Sequence, residues 1–164
     1  MGAFDKSICE CCIGPMQCVL KQLVGVDLIN IQTTTSRLVN NVLITNVKDF
    51  IVSTSEIGEI PVCQITEVFI FEAEDSVIKN VLSALKPIKN NKGECTCCED
   101  PITNLLNLEI GNTLEIEFIG TNGSNTDEII GVGEGVVVGL DLSIPEKTCL
   151  EIFSTCAITR VTPQ

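Results

Sequence analysis

Apolar and polar residues alternate in short runs along most of this chain. Runs of this period, bounded by Gly, Pro, Asn and Ser, are typical of strands with one buried face. They predict five strands in each half. In the first half the predicted strands cover residues 27–33, 38–47, 50–55, 59–64 and 66–71. In the second half they cover residues 113–119, 128–132, 135–140, 148–153 and 155–161.

A short helix is predicted before each set of strands. Pro15 and Pro101 suit the first turn of a helix, where a backbone N–H is not needed. Apolar residues follow each proline at roughly helical spacing. They are Met16, Val19, Leu20, Leu23 and Val24 in the first half and Ile102, Leu105, Leu106 and Leu108 in the second. Gly25 and Gly111 are expected to end these helices, because glycine accepts the left-handed conformation found there.

The two halves repeat one pattern, which indicates a tandem duplication. The segment Cys9-Glu-Cys-Cys-Ile-Gly-Pro15 aligns without a gap with Cys95-Thr-Cys-Cys-Glu-Asp-Pro101, an offset of 86. Residues 44–52 align with 129–137 at an offset of 85, and residues 63–68 align with 156–161 at an offset of 93. The larger final offset predicts an insertion around residues 140–152.

The repeat divides the chain into four parts. Residues 1–12 form a cysteine-rich N-terminal leader, 13–71 a first module, 72–94 a linker and 95–164 a second, cysteine-led module. The linker holds an apolar series and four lysines, and two interpretations of it stay open. It forms a helix that ends at Pro87, or an extra strand followed by a flexible tether.

The fold class predicted is mainly β. Ile, Val, Leu and Thr are abundant, whereas aromatic residues make up only 4% of the chain, and this composition favours pleated, half-buried surfaces. Five short strands in a small module bury their edges most economically by closing on themselves. Each module is therefore expected to be a small five-stranded barrel preceded by a short helix.

The charge of the chain argues against two classes of partner. A net charge of -12 repels phosphate backbones and anionic membrane surfaces, so neither nucleic acid nor a membrane is expected as a partner. No stretch approaches the roughly 20 apolar residues that span a bilayer. The first residues lack the apolar core of a signal peptide, so we expect synthesis without an export signal.

The sequence offers no recognisable catalytic site. It contains no histidine, which removes Ser-His-Asp and Cys-His nucleophile systems and histidine metal sites. Glu115 and Glu117 alternate with apolar residues and are interpreted as the solvated face of a strand. We therefore predict that the chain is not an enzyme and that it has no cofactor and no metal.

Ten cysteines are the informative residues. Adjacent side chains of an extended chain point to opposite sides, so one thiol of each Cys-Cys pair must find a partner elsewhere. The candidates for inter-subunit disulfides are Cys9, Cys11 and Cys12 and their counterparts Cys95, Cys97 and Cys98. Cys63 and Cys156 occupy matching positions and are predicted to be buried free thiols. Cys18 and Cys149 have no counterpart in the other half and are a further possible disulfide.

Other uses of the cysteines stay open. A zinc site with four thiolates is the main alternative, although Cys-X-Cys-Cys differs from the usual Cys-X-X-Cys knuckle. Unmodified thiols are another, and redox catalysis is disfavoured because no Cys-X-X-Cys begins a helix in a βαβ context. Many disulfides conflict with a reducing cytosol. A protein made in a cell that later lyses, as in sporulation, would meet both conditions.

The modules resemble a known type of small barrel. A helix ending at Gly25, a strand, the segment Leu43-Ile-Thr-Asn-Val-Lys-Asp-Phe-Ile-Val52 and then Ile60-Pro-Val-Cys-Gln-Ile65 is similar to the Sm-like or SH3-like barrels of bacillus spore coat and exosporium proteins. The resemblance covers about 55 residues in each copy. It implies association of subunits through sheet edges into rings or fibres. The second copy departs from it, with Gly135 where the first has Phe50.

The leaders separately resemble those of endospore appendage subunits, whose cysteine-bearing N-terminal segments join neighbours along a fibre. The two resemblances imply a self-assembling structural subunit, cross-linked by disulfides into a fibre or layer on the bacterial spore surface, in the coat, the exosporium or an appendage. They imply synthesis in the mother cell and partners that are further copies of the chain and other spore surface proteins. The alternative is a metal-binding or protein-binding adaptor module of the spore coat.

Overall fold

A computed structural model describes residues 6–89 and 99–164, with side chains from residue 12 onward in the first range. The prediction of a mainly β chain is confirmed. The helices in these ranges are α1 (Lys6–Leu20), α2 (Asp75–Ala84) and α3 (Asp100–Asn107). The strands are β1 (Ile29–Thr33), β2 (Leu38–Val42), β3 (Ile44–Lys48), β4 (Ile51–Thr54), β5 (Glu59–Pro61), β6 (Ile65–Ile70), β7 (Thr113–Phe118), β8 (Ser124–Gly133), β9 (Val136–Asp141), β10 (Cys149–Ser154) and β11 (Ile158–Pro163).

Each predicted strand falls on an observed one, but two kinds of boundary differ. The predicted strand 38–47 is interrupted at Leu43 and forms β2 and β3. The predicted strands 59–64 and 155–161 each contain one turn of 3-10 helix, at Val62–Gln64 and Thr155–Ala157. These turns redirect the chain into the last strand of each half.

The first helix is longer than the sequence indicated. Pro15 lies inside α1, which begins at Lys6, so the prediction that Pro15 occupies the first turn is wrong. A single turn of 3-10 helix, Lys21–Leu23, continues it. The buried side chains of this helical segment recur at i, i+3, i+4 and i+7, which fixes one apolar face on the core. They are Met16, Val19, Leu20 and Leu23.

The helix predicted before the strands of the second half agrees with the structure. Pro101 lies in the first turn of α3, and the helix stops at Asn107, before Gly111. Gly25 and Gly111 have φ of +81° and +88°, which the Cβ of other residues disfavours. Gly25 donates its backbone N–H to the Ile44 carbonyl at 3.0 Å, and Gly111 donates to the Ile129 carbonyl at 2.8 Å.

The strands form two antiparallel sheets rather than two separate closed barrels. The eight-stranded sheet has the order β11-β7-β8-β9-β10-β6-β1-β2, and the three-stranded sheet has the order β3-β4-β5. Among the described strands no closed barrel is found, and the expectation of one in each module is corrected. The physical reason is that β6 of the first half pairs with β10 of the second, so each half satisfies one edge with the other half.

Two apolar clusters lie on opposite faces of β9 and β10. The larger one joins α1, α2 and the strands of the first half to Val136, Val138, Leu150 and Ile152. The smaller one contains Leu106, Leu114, Ile116, Phe118, Ile129, Val137, Phe153 and Ile158. Alternation along β9 and β10 therefore places these two strands between both cores.

The linker contains α2, so the first of the two interpretations left open for it, a helix, is the correct one. The helix ends at Ala84, before Pro87. It packs on β8, where a Cβ on Gly131 would lie 2.5 Å from Leu82 Cδ2 and one on Gly133 would lie 2.8 Å from the Lys86 carbonyl oxygen. Glycine at both positions allows this close approach, so residues 75–86 of the linker are part of the packed structure.

Candidate functional site: the junction between the two halves

The two halves meet edge to edge, and we call the β6–β10 pairing and the side chains around it the junction. In this antiparallel ladder Leu150 lies opposite Ile70 and Phe153 lies opposite Glu67. The Ala73 N–H donates to the Thr148 carbonyl at 2.7 Å and extends the junction beyond the strands. A continuous backbone ladder therefore joins the first and second halves.

A second contact closes one end of the junction. The Gln32 side-chain amide donates to the Gly120 carbonyl at 2.7 Å. Gly120 has φ of +101°, and a Cβ there would lie only 2.3 Å from the Thr33 carbonyl oxygen. Only glycine fits this approach of the second half to the end of β1.

A disulfide also crosses the junction, between Cys12 in α1 and Cys156 in the 3-10 turn before β11. The two Cα atoms are 6.3 Å apart, a separation that a disulfide spans. Cys12 is buried, with 8% of its surface exposed. The bond therefore attaches the N-terminal helix of the first half to the second half.

A cavity of about 190 Å³ lies beside this disulfide and is lined by three cysteines, Cys12, Cys63 and Cys156. Its other walls come from both halves, with Thr34 and Val62 from the first and Ile119 from the second. Cys63 is an exposed free thiol. The junction thus holds one bonded and one free cysteine in matching turns.

Three of the cysteine predictions are corrected by this arrangement. Cys12 is bonded within its own chain and does not link subunits here, because α1 covers residues 6–12 of the predicted leader and carries Cys12 onto the second half. Cys63 and Cys156 are both exposed, not buried, and Cys156 is not a free thiol. The 3-10 turns explain this exposure, because they direct Val62 and Ala157 inward.

The remaining candidates divide into two groups. Cys18 is half-buried, Cys149 is fully buried, and both are free thiols, so the described structure does not join them. Burial raises the pKa of the Cys149 thiol, which keeps it protonated. The side chains of Cys9 and Cys11, and the whole of Cys95, Cys97 and Cys98, lie outside the described residues, so their predicted roles stay predictions.

A cluster of buried carboxyl groups lies on the same junction. Glu67 in β6, Asp127 in β8 and Glu151 in β10 are exposed by only 7%, 0% and 3%. The Asn125 side-chain amide donates to Glu67 Oε1 and to Glu151 Oε2, both at 2.9 Å. One amide of the second half therefore holds together two acids, one from each half.

Asp127 completes this carboxyl cluster. Its carboxylate oxygens accept no hydrogen bond from a described N–H or hydroxyl group. A Cβ on Gly139 would lie 2.7 Å from the Asp127 Cβ, so the glycine makes room for this side chain. The neighbouring Glu151 carboxyl can donate a hydrogen bond to Asp127 only when Glu151 is protonated.

Burial raises the pKa of all three acids, and their mutual repulsion raises it further. The pKa of Glu67 is raised to about 8 and that of Glu151 to about 9, in each case by burial first and by neighbouring carboxylates second. Burial also raises the pKa of Asp127 to about 7. The carboxyl of Asp141, on β9, adds negative charge to all three sites. The cluster therefore holds protons near neutral pH.

The chemistry that this junction supports is covalent cross-linking and proton binding. Among the described side chains, those of residues 12–89 and 99–164, no group of three or more Cys, Asp or Glu is placed to hold a metal ion. No described helix is both long enough and apolar enough to cross a membrane. The arrangement brings together a disulfide and a free thiol.

Sequence reasoning missed the carboxyl cluster. Glu151 stands between Leu150 and Ile152, and Glu67 stands between Thr66 and Val68, and charged residues at such strand positions are also typical of a solvated face. Their burial depends on the pairing of β6 with β10 and on Asn125, which lies 58 residues from Glu67 in the chain. The cysteines gave a partial signal, because the repeat aligned Cys63 with Cys156.

No family model, no curated protein and no solved structure matches the chain.

Proposed function

We propose that the chain is a structural, non-enzymatic subunit that assembles with itself and is locked by disulfides into a fibre or layer on the bacterial spore surface. The observation that carries the proposal is the junction itself. Within one chain, two similar halves are joined by a strand edge and then by a disulfide. The same combination between chains would make a covalent assembly.

A tandem duplication, proposed from the sequence, is supported by matching hydrogen bonds. The hydrogen bond from the Gly25 N–H to the Ile44 carbonyl in the first half matches the one from the Gly111 N–H to the Ile129 carbonyl in the second. A second matching pair lies where the strands turn. The Val62 N–H donates to the Phe50 carbonyl at 2.9 Å, and the Thr155 N–H donates to the Gly135 carbonyl at 3.1 Å.

Strand order supports the same proposal and its Sm-like character. In the second half the order is β11-β7-β8-β9-β10, in which the last strand precedes the first. In the first half β6-β1-β2 is followed by β3-β4-β5, and only Leu43 separates β2 from β3. When β2 and β3 count as one bent strand, both halves have the same order.

Exposed apolar side chains on the second half support association with a further copy. Leu105 and Leu108 of α3 and the nearby Ile110 are 45%, 79% and 49% exposed. Leu105 aligns at offset 86 with Val19, which is fully buried in the first half. Apolar surface of this kind marks interaction sites more often than isolated exposed residues do. The spore location itself rests on the cysteine content and the resemblance.

The test is a denaturing gel of material extracted from spores, with free thiols blocked first and with or without reductant. We expect multimers without reductant that collapse to one band near 17.7 kDa with it. The reason is that disulfides survive denaturant but not reductant. A single monomer band in both lanes would contradict the proposed cross-linked assembly.

A further inference from the structure

The two strands of the junction, β6 and β10, have counterparts at the ends of the strand order, and each counterpart has an edge without a partner strand. The order runs from β11 through β10 and β6 to β2, and continues after Leu43 through β3 and β4 to β5. Among the described strands, β11 and β5 end this series, each with one edge unpaired, and β2 and β3, which meet at Leu43, also have one unpaired edge each. Unpaired edges of this kind are templates for pairing with another chain.

The two terminal strands are equivalent to the two strands of the junction. Phe153 of β10 lies opposite Val137, and Ile60 of β5 lies opposite Val52, in the same register relative to the preceding strand. Likewise, Ile152 lies opposite Val138 in the second half, and Glu59 lies opposite Ser53 in the first. β5 is therefore to the first half what β10 is to the second, and β11 corresponds to β6.

We propose that the β5 edge of one chain binds β11 of a second copy in the register of the junction, and that Cys63 beside it forms a disulfide with a cysteine of that copy. The proposal deepens the proposed function and rests on it. In this register Ile60 would lie opposite Arg160 of the second copy, as Phe153 lies opposite Glu67 within one chain.

The residues of β5 suit this pairing. Pro61 lacks a backbone N–H, but its equivalent, Ser154, lies outside the paired residues of β10, so the proline costs the ladder no hydrogen bond. Glu56 and Glu59 are exposed acids beside the β5 edge. Arg160 is an exposed base on β11 and is ion-paired with Glu117 of β7. Because Arg160 neutralises Glu117, this pair does not repel the acidic β5 edge.

Cys63 supplies the covalent part. Cys63 occupies in the first half the position that Cys156 occupies in the second. Cys156 is bonded to Cys12 of α1, the helix that precedes the strands of the half containing β6. Cys63 is exposed and free. In the proposed contact, its disulfide partner belongs to the next copy. The sequence repeat aligns Cys12 with Cys98, which lies outside the described residues, so peptide mapping must identify the bonded cysteine.

The bond-forming step is an oxidation. Two thiols lose two protons and two electrons and form one S–S bond, and the electrons pass to molecular oxygen, which becomes hydrogen peroxide. The contact is heterologous, because β5 of one copy meets β11 of the next. Repetition of such a contact gives a ring if the rotation closes and a fibre if it does not.

The first experiment compares the full chain with Cys63→Ser and with a control, Cys18→Ser, after oxidation in air and blocking of free thiols. We expect Cys63→Ser to lose the covalent multimers seen on a non-reducing gel, while Cys18→Ser keeps them. Proteolytic mapping by mass spectrometry should find Cys63 in an inter-chain disulfide. Multimers that persist in Cys63→Ser, or that map to other cysteines alone, would overturn the proposal.

The second experiment tests the strand edge without the covalent bond. In the Cys63→Ser background, Arg160→Glu adds negative charge to the β11 edge, which would meet the acidic β5 edge, and should weaken association measured by light scattering more than Arg160→Gln does. Both variants remove the Arg160–Glu117 ion pair, so their difference reports the added charge. Lys79→Glu makes the same change of charge as Arg160→Glu on the exposed face of α2 and should not weaken association. Equal association of Arg160→Glu with either Arg160→Gln or Lys79→Glu would overturn the edge pairing. A wild-type chain that stays monomeric in every measurement would instead overturn the proposed function and this inference together.

Discussion

Replacing both Cys12 and Cys156 with serine is expected to lower the free energy of unfolding by about 3–5 kcal/mol. The disulfide joins residues 144 apart in sequence, so its loss releases a long loop in the unfolded chain. It also frees α1 from the second half. Chemical denaturation followed by circular dichroism, with other free thiols blocked, measures the change. The double variant avoids leaving one reactive thiol behind.

The matched control for this double variant is Cys18→Ser, which alters a half-buried free thiol on the same helix. We expect it to change the free energy of unfolding by less than about 1 kcal/mol. A double variant no less stable than Cys18→Ser would contradict the assignment of Cys12–Cys156 as a stabilising link across the junction.

Stability is expected to fall as the pH rises from about 4 to about 9. The pKa values of Glu67, Asp127 and Glu151 are raised from 4.5, 3.8 and 4.5 to about 8, 7 and 9 in the folded chain. Between these limits the folded state binds more protons than the unfolded state, so each rise in pH favours unfolding. The stabilisation is complete below the unfolded pKa values and is lost as the pH passes through the folded ones. Urea denaturation across this range measures the fall.

The variant that tests the carboxyl cluster is Glu67→Gln combined with Glu151→Gln. The amide oxygens can still accept from Asn125, but the side chains no longer ionise. The double variant should therefore flatten the decrease in stability above about pH 6. Glu146→Gln, at an exposed position, serves as the control and should leave the slope unchanged. A slope in the double variant equal to that of Glu146→Gln would show that these acids do not hold protons in the folded chain.

Local pattern was enough to place most of the strands, because period-two alternation depends only on which face of a strand is buried. β7 illustrates this, with Leu114, Ile116 and Phe118 buried and the residues between them half-buried. Gly25 and Gly111 were similarly predictable, since a positive φ selects glycine. The repeat then aligned Ile44 with Ile129, and these residues accept matching hydrogen bonds.

The leader was predicted less well, because its structure depends on distant contacts. A Cys-Cys pair followed by Pro15 indicated an extended segment and then a helix start. In the structure Cys12 and Met16 lie one helical turn apart, both buried, so α1 forms around contacts that the local sequence does not reveal. Tertiary packing outweighs the local penalty of a proline inside the helix.

The pairing of the two halves could not be predicted either. Both β6 and β10 have apolar patterns that suit a closed barrel edge or an edge shared with another module. Which of these forms depends on the relative energies of two similar strand pairings, since the halves resemble each other. The buried positions of Glu67 and Glu151, and the disulfide between Cys12 and Cys156, follow from that choice.

The proposed self-assembly of this chain can be tested by its molar mass in solution. Light scattering of the purified full chain, in air-oxidised and reduced samples over a range of concentrations, measures this mass without denaturant. We expect masses that are multiples of 17.7 kDa and that increase on oxidation. A mass of 17.7 kDa at every concentration and in both redox states would rule out self-assembly.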